Sequence, residues 1–210
     1  EMAYDYQGRR FEYKESVNAT LTRHERFLYR GYLQIAALDL TDATNVIHTI
    51  VWDPTEPTAT RPLALRTQSG WFTYGFDQVK NVTELFDSAG DIAAAYDYAP
   101  FGAVTASSGN AVAVNPITFS SEIDDNALGL IHYTFRLLNT LDGRWIVRDP
   151  IEETGGLNLY LMMANCSIMT SDYNGLLSYL DMLEKINSEL SKVKNAYQAA
   201  QKCLERIKMW

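Results

Sequence analysis

Short runs in which apolar and polar side chains alternate, each closed by a glycine or aspartate turn, recur along most of this sequence. Successive side chains of a strand face opposite sides, so a period of two marks a half-buried strand. Ile131, Tyr133 and Phe135, then Trp145 and Val147, read as two such strands joined by the hairpin turn Leu141-Asp142-Gly143. Asp149-Pro150 then halts ladder pairing, and Gly155-Gly156 allows backbone angles that other residues resist.

Upstream, the same pattern predicts a series of hairpins. Tyr4-Asp5-Tyr6-Gln7-Gly8 opens one, with Phe11 and Tyr13 on the return strand. Phe27-Leu28-Tyr29 meets Gly31 and continues through Ile35, residues 46–52 form a further strand, and prolines punctuate the loop to Pro62. Residues 71–76 make another aromatic strand, and residues 81–86 and 92–98 flank the turn Asp87-Ser88-Ala89-Gly90-Asp91. Tyr74 and Tyr96 stand 22 residues apart, a recurrence that fits stacked repeats but also fits tyrosine as an ordinary strand residue. Residues 103–114 are small and Ser/Ala/Gly-rich and read as a surface loop.

The character changes after Gly175. Neither Gly nor Pro occurs from Leu176 to Trp210, and apolar residues fall at heptad spacing: Leu176, Leu183, Leu190, Tyr197 and Leu204 on one seam, Tyr179, Ile186, Val193, Ala200 and Ile207 on the other. This predicts one long amphipathic helix or a helical hairpin, with Leu190 and Val193 packed against apolar partners in the β part, a second helix or another copy. The net charge of −8 divides into +2 for this tail and −10 for the rest. An acidic body argues against a nucleic-acid surface, which needs Lys and Arg for the phosphates. No apolar run approaches the ~20 residues of a membrane span, and the two cysteines, Cys166 and Cys203, make neither a disulfide scaffold nor a metal site. His24, His48 and His132 fall on separate predicted strands and read as structural; no cofactor is expected. The opening residues read as the middle of a repeat, as in a piece of a longer protein.

Several separated blocks occur in the order of one known family. Tyr96-Asp97-Tyr98-Ala99-Pro100-Phe101-Gly102, Gly129-Leu130, Gly143-Arg144-Trp145, Arg148-Asp149-Pro150 and Gly155-Gly156-Leu157-Asn158-Leu159-Tyr160 resemble the core domain that closes bacterial Rhs proteins, the YD-repeat toxins. The resemblance runs from about Tyr4 to Leu176. It implies a mainly β fold: antiparallel YD-repeat hairpins over residues 1–115 forming part of a wound shell, a closing core domain over 116–175, and a helical C-terminal region over 176–210.

By resemblance, the shell is a hollow cocoon that sequesters a C-terminal toxin, and its closing domain is an aspartate-dependent autoprotease that cuts at a segment reading Asp-Pro-x-Gly-Leu. Asp172-Tyr173-Asn174-Gly175-Leu176 stands at the matching distance, with Tyr173 in place of the proline, and sets the expected cut between Gly175 and Leu176. Asp149 aligns with one family aspartate, Asp125 with the other, and Arg148 is the expected charge stabiliser. Two close carboxylates suit self-cleavage, since like charges raise one pKa and leave an acid beside a base. The resemblance further implies the chain's own toxin region as partner, with secretion machinery or a cognate immunity protein, and a secreted or cell-surface location. Besides shell and autoprotease, one other reading stands: a non-catalytic surface or adhesion scaffold with a helical oligomerisation tail.

Overall fold

The computed structural model describes residues 1–41, 44–55, 61–126, 128–155, 157–162, 190–192, 194 and 197. Ten strands follow one another as an antiparallel meander in one sheet: β1 (Met2–Tyr4), β2 (Arg10–Val17), β3 (Thr20–Arg30), β4 (Leu33–Asp39), β5 (Asn45–Trp52), β6 (Pro62–Thr67), β7 (Gly70–Phe76), β8 (Val82–Phe86), β9 (Ile92–Tyr98) and β10 (Val104–Ser108). Four short strands, β11 (Ile123–Asp125), β12 (Leu130–His132), β13 (Leu137–Asn139) and β14 (Arg144–Trp145), form a second antiparallel sheet. The mainly β, antiparallel fold expected from the alternation is the fold observed. In the tail, Leu190, Ser191, Lys192, Lys194 and Tyr197 are helical, and Leu190 and Tyr197 are 61% and 63% exposed, so these two seam positions are not buried against this chain. Val193 and the remaining seam residues lie outside the described set.

Alternation decides which face of the large sheet is covered. Ile50 pairs with Leu65 and Leu65 with Phe72, giving a row of three buried side chains across β5, β6 and β7. Tyr74, Val82, Leu85, Ala94 and Tyr96 continue this apolar face, while Trp71, Val51 and Ile92 point to solvent. Every pairing in the sheet except β6 with β7 carries a register shift. Bulges bend and twist a strand, so the sheet curves instead of lying flat. The second unit, from residue 111 onward, sits against this face: Ala111 and Ile117 belong to the same core as Ile50, Leu65 and Tyr96, with Ile123 packed against it.

A second core gathers Phe119, Ile131, Tyr133, Leu138, Trp145 and Met162, with Tyr98 of β9 and Phe101 of the β9–β10 turn packed on it. Two glycines of the family blocks make room here. A Cβ on Gly102 would lie 2.4 Å from the Phe119 ring, and one on Gly143 would lie 2.7 Å from the Phe101 ring; both have positive φ.

Three sequence expectations are corrected. The run Ile131, Tyr133, Phe135 is not one strand: β12 ends at His132, and Tyr133 N–H donates to Arg136 C=O (3.0 Å) to close a tight turn into β13. The alternation continues through that turn because Tyr133 is buried in the second core, a role that does not require a strand. Val147 is likewise beyond β14 and half exposed. The small residues read as a loop contain β10, fully exposed on the sheet's edge and built by backbone pairing to β9, which leaves no apolar signature.

Of the three histidines, His48 is the deepest in the sheet face, 7% exposed, with Nε2 3.2 Å from Gln34 Nε2. Burial lowers its pKa to about 4. The folded value lies below the unfolded one, so the unfolded chain binds more protons between them, and stability held above pH ~6.5 is lost as pH falls toward 4, on the order of 3 kcal/mol. Burial also pushes His132 down, adding to the same window. Urea denaturation at stepped pH should show this fall, and His48→Leu should be less stable but flatter between pH 6.5 and 4; an unchanged slope would refute the assignment.

Candidate functional site

Segment 115–123 fixes the second unit to the first. Asn115 Oδ1 accepts from Tyr74 O–H (3.1 Å) and Ile117 N–H (3.2 Å), and its Nδ2 donates to Tyr96 Oη (3.1 Å) and Ile117 C=O (2.6 Å). Both acceptor sites and both donors of the amide are thereby used. Val82 N–H donates to Thr118 C=O (3.0 Å), Ser120 N–H to Asn81 Oδ1 (2.8 Å), and Ser121 O–H to Lys80 C=O (2.6 Å). Asn81, which fits a glycosylation acceptor pattern, is thus a buried structural amide.

This docking places β11 and β12 opposite β2. Asp125, 8% exposed, turns Oδ2 toward Arg10 Nη1, with which it pairs closely, and toward His132 Nε2 at 3.3 Å, without the alignment of a hydrogen bond. Its Oδ1 accepts from Leu128 N–H (3.3 Å). Burial pushes the Asp125 carboxyl up, but His132 and Arg10 outweigh it and hold the pKa well below the usual carboxylate range. Asp125 is therefore not the raised carboxyl that a pair of like charges would create. The carboxyl that burial does push up is its neighbour Asp124, which accepts from Thr118 O–H (3.0 Å).

Asp149 lies 8% exposed on a second ion pair. Its Oδ2 accepts from Arg136 Nη1 (2.6 Å), its Oδ1 from Ile151 N–H (3.0 Å), and its own N–H donates to Leu159 C=O (2.9 Å). The Arg136 side chain is 1% exposed, with its guanidinium 4.1 Å from the Trp145 ring centroid; Trp145 in turn meets Tyr133 edge to face at 4.9 Å. Arg148, the cation expected to serve this carboxylate, is exposed. Arg136 holds Asp149 instead. The signal for it was an arginine inside an otherwise apolar run, a residue almost never fully buried unless paired.

Among the described residues, Asp125 faces Arg10 and His132, and Asp149 faces Arg136. Arg10, His132 and Arg136 all line one cavity of about 800 Å³ that opens between the β3–β4 turn and residues 132–137, with Arg30, Tyr32 and Glu122 also on its wall. The cations face the cavity; the two carboxylates are not among its lining residues. Gly175 and Leu176 lie outside the described residues. Among the described residues no group of three His, Cys, Asp or Glu side chains is placed to hold a metal ion, and no helix is long and apolar enough to cross a membrane.

Removing one member of a buried ion pair strands the other, at a cost of ~3–5 kcal/mol, whereas replacing both by apolar residues costs far less. Urea denaturation should accordingly show Arg136→Met and Asp149→Leu each strongly destabilising and the double variant less so than either single change. Additive losses would mean that the pair is not coupled.

A family model described as the teneurin YD-shell matches residues 1–165. Toxin subunit YenC2 of Yersinia entomophaga is 33% identical over 120 residues, 55% of this chain and 12% of its own length. Double-stranded DNA deaminase toxin A of Burkholderia cenocepacia is 36% identical over 92 residues, 42% of this chain and 6% of its own length. Among solved structures, a TcdB2-TccC3-TEV crystal structure superposes with a TM-score of 0.66 at 22% identity, and a Photorhabdus luminescens Tc holotoxin pore with a TccC3 mutation gives 0.66 at 21%; each likeness covers 83% of this chain and 9% of the larger one. This chain therefore spans a small part of the proteins it matches. The meander of hairpins, the docked second sheet and the family match over residues 1–165 together establish that the chain belongs to the teneurin YD-shell family, as a shell protein of the Rhs and YD-repeat type.

Proposed function

We propose that this chain is part of an Rhs-type toxin shell that encapsulates and delivers a C-terminal effector, and that its closing unit cuts the chain between Gly175 and Leu176. The observation that carries the second half is the placement of Asp149 and Asp125, both buried and each held by an arginine that faces one cavity. Such charges are costly to bury, and buried ion pairs whose arginines line a cavity are where chemistry is sought. In this reading Asp125, held ionised, takes a proton from water as the oxygen adds to the Gly175 carbonyl carbon. Arg136 turns to the developing oxyanion, sharing the charge-stabilising role that the resemblance implies for Arg148. Asp125 then passes that proton to the Leu176 nitrogen as the C–N bond breaks, leaving a Gly175 carboxyl group and a Leu176 amine, while Asp149 orients Arg136.

The relatives' names support delivery of a toxin, and the acidic body supports a container in preference to a nucleic-acid surface. The effector's activity belongs to sequence beyond the shell, so the deaminase named for one relative is not carried over. The reading places the assembled protein outside the cell, with its own effector and the effector's immunity protein as partners. The exposed helical Leu190 and Tyr197 favour a second reading, a helical oligomerisation tail, which expects a mass that grows with concentration in sedimentation.

Intact-mass measurement of the purified chain decides between cleavage and its absence. Two fragments divided between Gly175 and Leu176 are expected, with Asp149→Asn leaving the chain whole. Should Tyr173 block the cut by displacing the family's proline, Tyr173→Pro restores it. Full-length wild type and Tyr173→Pro chains, or an Asp149→Asn chain cut at the same bond, would overturn the proposal.

A further inference from the structure

The candidate centre is not contained in the unit that carries its carboxylates. Arg10 lies 115 positions before Asp125, at the first residue of β2, and both side chains are nearly buried, at 9% and 8% exposure. The arginine is fixed from its own side: its guanidinium carbon sits 5.0 Å from the Phe27 ring centroid and 5.8 Å from that of Tyr13, and Tyr29 O–H donates to its backbone carbonyl (2.9 Å). A stacked guanidinium held by two rings and an anchored backbone reaches Asp125 preorganised, with little rotamer freedom left to lose. Asp125 is as firmly placed on the other side, by the β11–β12 ladder and by its contact to Leu128 N–H. These are the two halves of a joint between the repeat sheet and the closing unit.

We infer that Arg10 of the repeat sheet is the positioning residue that sets the charge and orientation of Asp125, so that the closing unit's carboxylate centre is completed only when that unit is docked on the sheet. The inference rests on the self-cleavage reading for its consequence, but the joint itself does not need it. Undocked, Asp125 would keep only His132, an imidazole whose charge, unlike that of an arginine, depends on pH. The groups that face Asp125 are Arg10 from β2, His132 from β12 and its chain neighbour Asp124, with Arg23 and Tyr13 farther along the sheet surface. Among these, Arg10 is the cation in direct contact whose charge does not depend on pH. Its effect on self-cleavage would therefore appear as a shift in pH profile, which simple loss of fold would not produce. Cutting would wait until the shell wall had closed on the core.

The test uses the full chain. Carbon-detected NMR titration follows the Asp125 side-chain carboxyl in wild type, Arg10→Gln and Arg10→Met, the last keeping the apolar stem over Phe27 and Tyr13; circular dichroism verifies the fold of each. The Asp125 midpoint should rise by ~1–3 pH units in both variants, and Arg10→Lys should recover part of the shift. In a chain that cuts itself, wild type or Tyr173→Pro, the acidic limb of the cleavage pH profile should move upward by the same amount. An Asp125 midpoint unchanged in whichever neutral variant folds would overturn the inference, as would a shifted midpoint with an unmoved cleavage profile. If no chain cuts itself, the cleavage reading fails by itself, and the titration still decides whether Arg10 governs Asp125.

Discussion

The second unit hangs on one amide. Asn115 is 4% exposed, and every donor and acceptor of its side chain is occupied, two by tyrosines of the repeat sheet and two by the backbone of Ile117. Burial pushes the pKa of both Tyr74 and Tyr96 up, so their hydroxyls stay protonated and available to the bridge. A buried polar group without partners costs ~1–3 kcal/mol, so a fully satisfied amide between two tyrosines specifies one docking geometry against many apolar alternatives. From that fixed point the chain hooks through Thr118, Ser120 and Ser121, the two serines at positive φ and held by Asn81 and Lys80. Strain of this sort persists only where surrounding contacts over-determine it.

What the clasp positions is charge. The second unit brings Asp125 and Asp149 into a largely apolar interior, and each carboxylate is met by a guanidinium packed on aromatic rings: Arg10 over Phe27 and Tyr13, Arg136 over Trp145. Burying such pairs seldom raises stability relative to apolar packing. The shell fold needs the aromatic strands and the glycines under the Phe101 and Phe119 rings. Both arginines, but not the carboxylates they hold, line one cavity.

The hairpins were legible because their cause is local. Period-two patterning and turn residues act within a few positions, and the 22-residue spacing of Tyr74 and Tyr96 has a physical meaning, since both equivalent hydroxyls bind the same amide. Asn115 itself carried no such signal; its partners stand 41 and 19 positions away. The same holds for Arg10, and for Arg136 in place of the nearer Arg148: sequence adjacency suggested one cation, while the turn at residues 133–136 delivers the other. Strand β10 escaped notice for a different reason, being held by backbone pairing without a buried side chain.

The central claim is that the large sheet and the second unit are one cooperative structure joined at Asn115. Fluorine NMR of 5-fluorotryptophan-labelled protein through a urea series tests it directly, because Trp52 reports from the repeat-sheet core and Trp145 from the second core. The account predicts coincident transitions for the two signals in wild type, and in Asn115→Ala a separate, earlier transition for Trp145. A Trp145 transition already separate in wild type, or an Asn115→Ala protein in which both signals keep their wild-type midpoints, would contradict it.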